Sequence, residues 1–599
     1  MRLHRPWLVR VRQAMMGLKA SPQTWDEQIE DARLALLRHG WASKALCQAL
    51  ACVAHAIDTT LGRRLSDQQL LAAAMLLDQR LVEMPTGEGK SLALAAAAAV
   101  AALAGVPTHV ITANDYLAER DGLAMAPLWE RLGLRVGYVL RATEPNQRRE
   151  IYRRDIVYTT AKEVAFDHLR DHLGGGLIPS PVLRGLCLAL LDEADSILLD
   201  EAVVPLVISA SQELPPAAQT QRRALWWQAL KLAQALQWHE HAEGMTGLRA
   251  RLSPSGLARL QQMTADLNGP WRRARLRLAL VEQALAALHL LKRDQHYVIR
   301  EGAIELLDTL TGRLAEGRVW SQGLQMLIEL KEGCKPSPPT QTLAQTTFQR
   351  FFMRYWQLGG LSGTLVESRR EFKSVYGLSI VTMPPRQPSM RQDRGLRFFD
   401  TPEERWQAVV EAVAMRHGRG QPVLIGTDTV SDSETLSARL RNRGIEHQVL
   451  NAHHDHREAA IVALAGRSGA VTVATRMAGR GTDITLDGEA LKAGGLHVIA
   501  CQNNESGRMD RQLLGRAARQ GQPGSTETWI CHGISVPHAG RGTPMLLRWN
   551  AIVFGPLMKR LNQALATRRQ ALARRHLLER DRQWEEQHRR AQQQGSGMP

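Results

Sequence analysis

The sequence predicts an α/β protein built on two doubly wound parallel sheets. A mostly helical α+β domain is inserted into the first, and a helix closes the chain. Two observations carry that class. From Leu81 onward, short apolar runs ending in polar residues alternate with helical stretches: RLVEM, THVITAN, DIVYTT and LCLALLDEAD. Runs of that kind, separated by helices, are strands of a parallel sheet buried on both faces. A second series starts near Gln421 with PVLIGT, EHQVLNA, AVTVAT, LHVIAC and TETWI, so a second α/β unit follows the first.

In chain order, residues 1–60 form a helical lead. The first α/β domain occupies 61–210 and resumes at 333–393. The interruption, 211–332, is rich in Arg and Leu, as in QRRALWWQALKLAQAL, and holds one hairpin-like piece, HYVIREGAIELLD, turning at Glu301-Gly302. The second α/β domain spans 394–545. Residues 546–599 read as a charged helix followed by the flexible tail QQQGSGMP.

With 599 residues the chain can bury several cores. A net charge of +17 favours anionic partners, whether nucleic acid, acidic lipid or acidic protein, although an Arg-rich genome alone would produce the same balance. Cys47, Cys52, Cys187, Cys334, Cys501 and Cys531 form no C-x-x-C pair, which points to reduced structural thiols and no zinc site. No stretch reaches the roughly 18 apolar residues of a membrane helix. The run LALAAAAAVAALAG reads as a buried helix. The basic N-terminus has only WLV as an apolar core, too short for a signal sequence. It reads as a solvated helix, with a weakly amphipathic membrane-surface helix as the alternative.

The chemistry begins at EMPTGEGKS, Glu83 to Ser91, between a strand and a long helix. That context suits a phosphate-binding loop. Gly87 and Gly89 let backbone N–H groups close around phosphate oxygens at a helix N-terminus. Lys90 would reach the β and γ phosphates and Ser91 would ligate Mg²⁺. Met84 departs from the common pattern, where Gly or Ala begins the loop.

The tripeptide DEA then occurs twice in LLDEADSILLDEA, eight residues apart. The first copy ends a buried strand, the edge at which open α/β sheets bind ligands. There Asp192 can hold Mg²⁺ through water and Glu193 can polarise the attacking water. The second copy, with Asp200 and Glu201, lies off that edge and is expected to be structural or interdomain. In the second α/β domain, QLLGRAARQGQPG places Arg516 and Arg519 three apart, which predicts one helix face presenting both to the nucleotide as arginine fingers.

Loop, carboxylates and arginines in this order resemble a superfamily-2 motor with ATP held between two RecA-like domains. Further segments resemble one branch of it, the SecA preprotein translocase ATPases: LGRRLSDQQLL, TANDYLAERD, DEADSILLDEA followed by PLVIS, TGRLAEGRVWSQGL, QTLAQTTFQ, LSGT, MAGRGTDI and GRAARQG, in the family's order from about Leu61 to Ser525. The resemblance implies that Gln69 reads adenine, that Gly87, Glu88, Gly89, Lys90, Ser91 and Asp483 bind nucleotide, and that Asp192 and Glu193 are the Walker B pair. It implies that Arg480, Arg516 and Arg519 sense the γ-phosphate, and that 211–332 is the domain that clamps unfolded preprotein.

Departures bear on function. Only 74 residues follow Ser525, room for one scaffold-like helix but not for the wing, the two-helix finger or the Cys- and His-rich zinc tail found in many family members. Val203 stands where the family has arginine, Arg476 where it has asparagine, and the basic balance is unlike the family's acidic one. Three readings follow. The favoured one is a specialised or accessory SecA-like ATPase using ATP and Mg²⁺. It would move preproteins at a SecYEG-type channel from the cytoplasm, peripherally bound to the inner membrane, with an anionic lipid surface as a further contact. A nucleic-acid-dependent ATPase is disfavoured by the clamp signature and the lack of an RNA-binding module. A non-hydrolysing scaffold is disfavoured because the catalytic set is complete. For the arginines of the last helix, a lipid contact stands beside a solvated helix packed on the motor by its leucines.

Overall fold

The computed structural model describes residues 5–20, 23–173, 181–211, 215–245, 249–307, 320, 323–338, 340–450, 458–475, 483–502, 504, 506–531 and 546–595. Five strands appear first: β1 (Arg80–Glu83), β2 (Thr108–Thr112), β3 (Val136–Val139), β4 (Ile156–Thr160) and β5 (Leu188–Asp192). Then β6 (Leu206–Ser211) leaves the body of the first domain. The insertion carries two hairpins, β7 (Ala242–Met245) with β8 (Arg249–Leu252), and β9 (Tyr297–Arg300) with β10 (Ala303–Leu306). The sequence shows only the second of these, because AEGM and RARL lack a β-branched signature. The expected turn forms at Glu301 and Gly302, both at positive φ.

The chain returns on β11 (Thr340–Thr346), antiparallel to β6, so the insertion stands on a two-stranded stalk. It has its own core around Trp226, Leu285, Tyr297 and Leu327. Two more strands, β12 (Gln357–Ser362) and β13 (Ser379–Thr382), complete an all-parallel first sheet of order β13-β1-β12-β5-β2-β4-β3. Neighbouring residues of each strand enter opposite cores. Val82, Val110, Leu188 and Leu190 meet the N-terminal helices, while Leu81, Ile111, Ala189 and Leu191 meet Phe348, Phe351 and Phe352. Burial on both faces explains why these strands read as unbroken apolar runs. Helix Lys90–Leu103 is buried from Leu92 onward, in keeping with its alanine content.

The second sheet holds β14 (Met390–Phe399), β15 (Val423–Thr427), β16 (Gln448–Leu450), β17 (Val471–Thr475), β18 (Leu496–Ala500) and β19 (Pro523–Cys531), in the order β14-β19-β18-β15-β17-β16. All of its pairings are parallel. Strand β14 begins at Met390, so this sheet starts before residue 394. The fold class is therefore the one expected: two RecA-like parallel sheets, an inserted domain and a C-terminal helix.

That helix, Leu546–Gly595, has 50 residues and runs for about 75 Å. It joins both sheets' domains. Lys559 and Gln563 contact Asp510, with Lys559 Nζ 2.7 Å from its carboxylate. Farther along, Arg574 makes a two-pronged pair with Glu371 at 2.7 Å. The buried Asp581 accepts from Thr347 N and Oγ1 at 2.9 and 3.1 Å. The helix thus packs through charged groups; Leu578 is buried, whereas Leu557, Leu561, Leu565 and Leu572 are exposed. No helix among the described residues is long and apolar enough to cross a membrane. The N-terminal helix, Arg5–Ala20, tucks Leu8 and Val11 into the first core.

Candidate active site

The phosphate-loop candidate folds as its composition requires. Gly87 and Gly89 adopt φ of 88° and 75°, where a side chain would be strained, and Gly89 leads directly into helix Lys90–Leu103. A Cβ at either position would also crowd a neighbouring side chain. At Gly89 it would lie 2.3 Å from Gln69 Nε2, and at Gly87 it would lie 3.0 Å from Arg519 Cβ. The loop is held from both domains: Thr86 Oγ1 donates to Gly515 O at 2.7 Å and Gln520 Nε2 donates to Gly87 O at 3.1 Å.

Asp192 and Glu193 stand at the C-terminal end of β5, as expected for an open sheet. Glu193 has φ of 52°, a left-handed conformation that a non-glycine residue adopts at some cost and that is common at functional sites. Its carboxylate forms a close ion pair with Lys90. Burial works against the Lys90 ammonium, but the Glu193 and Asp192 carboxylates hold its pKa above the ordinary lysine value. Burial and the Glu193 charge push the Asp192 carboxyl up to about 7, with Lys90 opposing.

One cavity of about 380 Å³ gathers these groups with residues of the second sheet's domain. From the first domain come Thr86, Gly87, Gly89, Lys90, Ser91, Arg120, Asp192 and Glu193; from the second come Asp483, Gln512, Arg516 and Arg519. Gln69 and Glu88 are not lining residues. Gln69 forms a capping box with Ser66 and donates Nε2 to Glu88 O and Gly89 O at 3.1 and 3.2 Å. Glu88 Oε1 accepts from Arg386 N at 3.0 Å. Arg480 and Arg476, with the MAGRGT segment, lie outside the described residues.

Arg516 and Arg519 do not share a helix face, contrary to expectation. Helix Gly507–Leu514 ends at Gly515, so Arg516 and Arg519 follow it, with Ala518 and Gln520 at positive φ. Both still reach the cavity, placed there by the turn instead of a helix face, and Arg519 pairs with Asp483. The i, i+4 pair that does share a face is Arg508 and Gln512, and both contact Asp195.

Asp195 is the hub that sequence reasoning missed. It is fully buried and accepts from Ser362 Oγ, Thr364 Oγ1 and Gln512 Nε2 at 2.6 Å each, and from Arg508 Nη1 at 2.8 Å. Ser362 Oγ also reaches Glu193 Oε2 at 3.3 Å, linking the strand-end carboxylate to the facing domain. Arg508 pairs as well with Asp200 of the second DEA copy. The two copies thus differ in role: the first faces the cavity and the second clasps the opposite domain. The segment LSGT held the signal for Ser362 and Thr364; only their side-chain geometry singles them out. The donor set fits Mg–ATP: a glycine cradle at a helix N-terminus, an ammonium, the Thr86 and Ser91 hydroxyls, three carboxylates and three guanidinium groups around one cavity. No cluster of three metal-ligating His, Cys, Asp or Glu occurs among the described residues.

Residues 8–373 match the SecA DEAD-like domain family and residues 388–536 match the SecA P-loop domain family in two overlapping stretches. The protein translocase subunit SecA 2 of Bordetella avium is 44% identical over 506 residues, covering 82% of this chain and 76% of that protein. The SecA 2 of Nitrosospira multiformis is 40% identical over 84% of this chain and 77% of its own length. The SecA of Halothermothrix orenii is 38% identical, and this chain spans 60% of its length. Among solved structures, Saccharomyces cerevisiae Dbp5 bound to RNA and ADP BeF3 superposes with a TM-score of 0.41 at 13% identity, over 81% of this chain and 87% of that one.

Proposed function

Because the chain belongs to the SecA family of protein translocase subunits, we propose that it is an accessory ATPase coupling ATP hydrolysis to export of unfolded preproteins. The observation that supports this best is the single cavity in which Lys90, Ser91, Asp192 and Glu193 of one domain face Arg516 and Arg519 of the other.

In this reading the N–H groups from Gly87 to Lys90 receive phosphate oxygens, aided by the N-terminus of the following helix. Lys90 exchanges Glu193 for the β and γ phosphates. Ser91 Oγ and Asp192 would hold the Mg²⁺, which with ATP supplies charge neutralisation and the transferable phosphoryl group. Glu193, released from Lys90, orients the attacking water and takes up its proton at a carboxylate oxygen. Arg516 and Arg519 stabilise transition-state charge, Arg519 after leaving Asp483, and Arg480 completes the γ-phosphate contacts. Gln69 reads the adenine after leaving the loop carbonyls of Glu88 and Gly89.

The same reading divides the chain into a first nucleotide-binding domain (61–210 and 333–389), a second (390–545), the 211–332 clamp and the scaffold-like helix. The clamp holds unfolded polypeptide. A SecYEG-type channel is the partner, and the protein works from the cytoplasmic face as a peripheral membrane protein. Steady-state ATP hydrolysis tests this, with Glu193→Gln as control, for the protein alone, with SecYEG proteoliposomes plus unfolded preprotein, and with RNA. Stimulation by channel and preprotein that vanishes in the control is the expected result. Stimulation by RNA alone would replace the reading with a helicase-like one.

A further inference from the structure

We propose that Glu83 is a positioning residue for ATP hydrolysis, its carboxylate setting the phosphate loop in register with the turn after β12 and with the arginine-bearing segment of the second domain. The inference rests on the reading of the cavity as an ATPase site and adds a residue that does not line it. Glu83 closes strand β1 immediately ahead of the phosphate loop, and its side chain is 10% exposed. A buried carboxylate at the end of a parallel strand is costly unless donors meet it. Here they come from two directions. Oε2 accepts from Leu365 N and Val366 N at 2.5 and 2.6 Å, and Oε1 accepts from Arg511 Nη1 of the second domain at 3.3 Å. Arg511 extends the contact to Glu367 through its other terminal nitrogen.

Each donor belongs to a segment that carries chemistry. Leu365 and Val366 directly follow Ser362 and Thr364, whose hydroxyls hold Asp195, and Ser362 Oγ also reaches Glu193. That turn lies against the phosphate loop: Met84 N donates to Ser362 O at 2.9 Å, and a Cβ at Gly363 would sit 3.2 Å from Thr86 Cγ2. Arg511 stands in helix Gly507–Leu514, which runs into the turn bearing Arg516 and Arg519. Residues 511, 515 and 520 of the second domain thus meet 83, 86 and 87 of the first in the same order, through Arg511–Glu83, Gly515–Thr86 and Gln520–Gly87. Both arginines leave the chain between the last two of these contacts. The first contact is an ion pair, whereas the other two join uncharged groups. Misplacing a catalytic group by about 1 Å costs on the order of a hundredfold in rate. A carboxylate that registers the arginine segment therefore acts on turnover without touching the nucleotide.

Single-turnover ATP hydrolysis by the full-length protein tests the proposal, together with affinity for a fluorescent ATP analogue. In Glu83→Gln one amide oxygen replaces two carboxylate oxygens, so either the backbone donors or Arg511 lose their acceptor. The rate should fall by about tenfold to a hundredfold. Nucleotide affinity should stay within a few-fold, because the loop N–H groups and Lys90 are untouched. Arg511→Gln, at a half-exposed position on the other side of the pair, should lower the rate by about tenfold, and it decides the matter if Glu83→Gln does not fold. A double-mutant cycle separates positioning from a merely structural role. With Arg516→Ala and Arg519→Ala already in place, Arg511→Gln should lower the rate by less than about twofold, because the groups it positions are gone. A full effect of Arg511→Gln in that background, or an unchanged rate in both single variants, overturns the inference and leaves the ATPase reading standing. Loss of nucleotide affinity in both variants also overturns it, since the pair would then serve binding. Absence of hydrolysis by the wild type overturns both.

Discussion

Replacing Arg508 by Met should unclasp the two motor domains, and the cost can be worked from its contacts. Arg508 is 4% exposed, and its Nη1 donates to Asp195 Oδ2 at 2.8 Å and to Asp200 Oδ2 at 3.0 Å, with Nη2 on Asp200 Oδ1. Breaking a buried ion pair by removing one partner costs about 3–5 kcal/mol. The lower end applies here: Asp195 keeps Ser362, Thr364 and Gln512 as donors, and the Asp200 side chain, 17% exposed, can reach water. A loss of about 3 kcal/mol corresponds to roughly a hundredfold faster exchange, at about 1.4 kcal/mol per decade, for amides of helix Gly507–Leu514 that exchange by interface opening. Native-state hydrogen exchange reads this directly. Asp200→Asn should cost less, about 1 kcal/mol, since the amide oxygen still accepts. The double variant should be non-additive by about 1 kcal/mol or more, because both changes remove one contact. Additivity, or unchanged protection in Arg508→Met, would refute the assignment of the second DEA copy as an interdomain clasp.

Glu193→Gln should lower kcat by at least about a hundredfold while fluorescent-nucleotide affinity stays within a few-fold, because the amide keeps the shape but cannot take a proton; retained turnover would remove Glu193 from that role. Lys90→Ala should abolish nucleotide binding itself, as isothermal calorimetry would show. Asp581→Ala should raise exchange across the C-terminal helix, since its buried carboxylate serves Thr347 and Arg350, at a cost of about 3 kcal/mol. Acid should destabilise the fold through buried neutral histidines: burial pushes His109 down to about 4 and His168 and His497 to about 3. The unfolded chain takes up these protons first, so the stability is complete above about pH 6.5 and is lost as pH falls toward 4 to 3. Calorimetry against pH should show that slope flattened in His497→Gln; an unaltered slope would count against it.

Much of the fold is legible in the sequence because a sheet covered on both faces must be apolar throughout. The runs RLV, HVIT, IVYTT and LALL needed no partner to be recognised as strands. Strands SIVT and MRQDRGLRFF are at the sheet edges and read poorly, since half-exposed edges carry no such continuous signal. The glycine loop was legible for a similar reason: its backbone conformation is local, and Gly87 and Gly89 are required whatever surrounds them.

The sequence by itself determined the local parts: the two sheet series, the phosphate loop, the carboxylates at the end of β5 and the hairpin at Glu301-Gly302. Tertiary structure alone decided which of those parts face one another. Asp195 binds Arg508 across 313 residues of chain and Thr86 binds Gly515 across 429, and no periodicity encodes such pairings. The turn that releases Arg516 and Arg519 from a helix depends on Gly515 and the left-handed Ala518, a choice made against the phosphate loop of the other domain. The leucines of the last helix show the same division. Their spacing is sequence, but their exposure follows from the Arg574–Glu371 and Asp581–Thr347 contacts, which pin the opposite face to the motor.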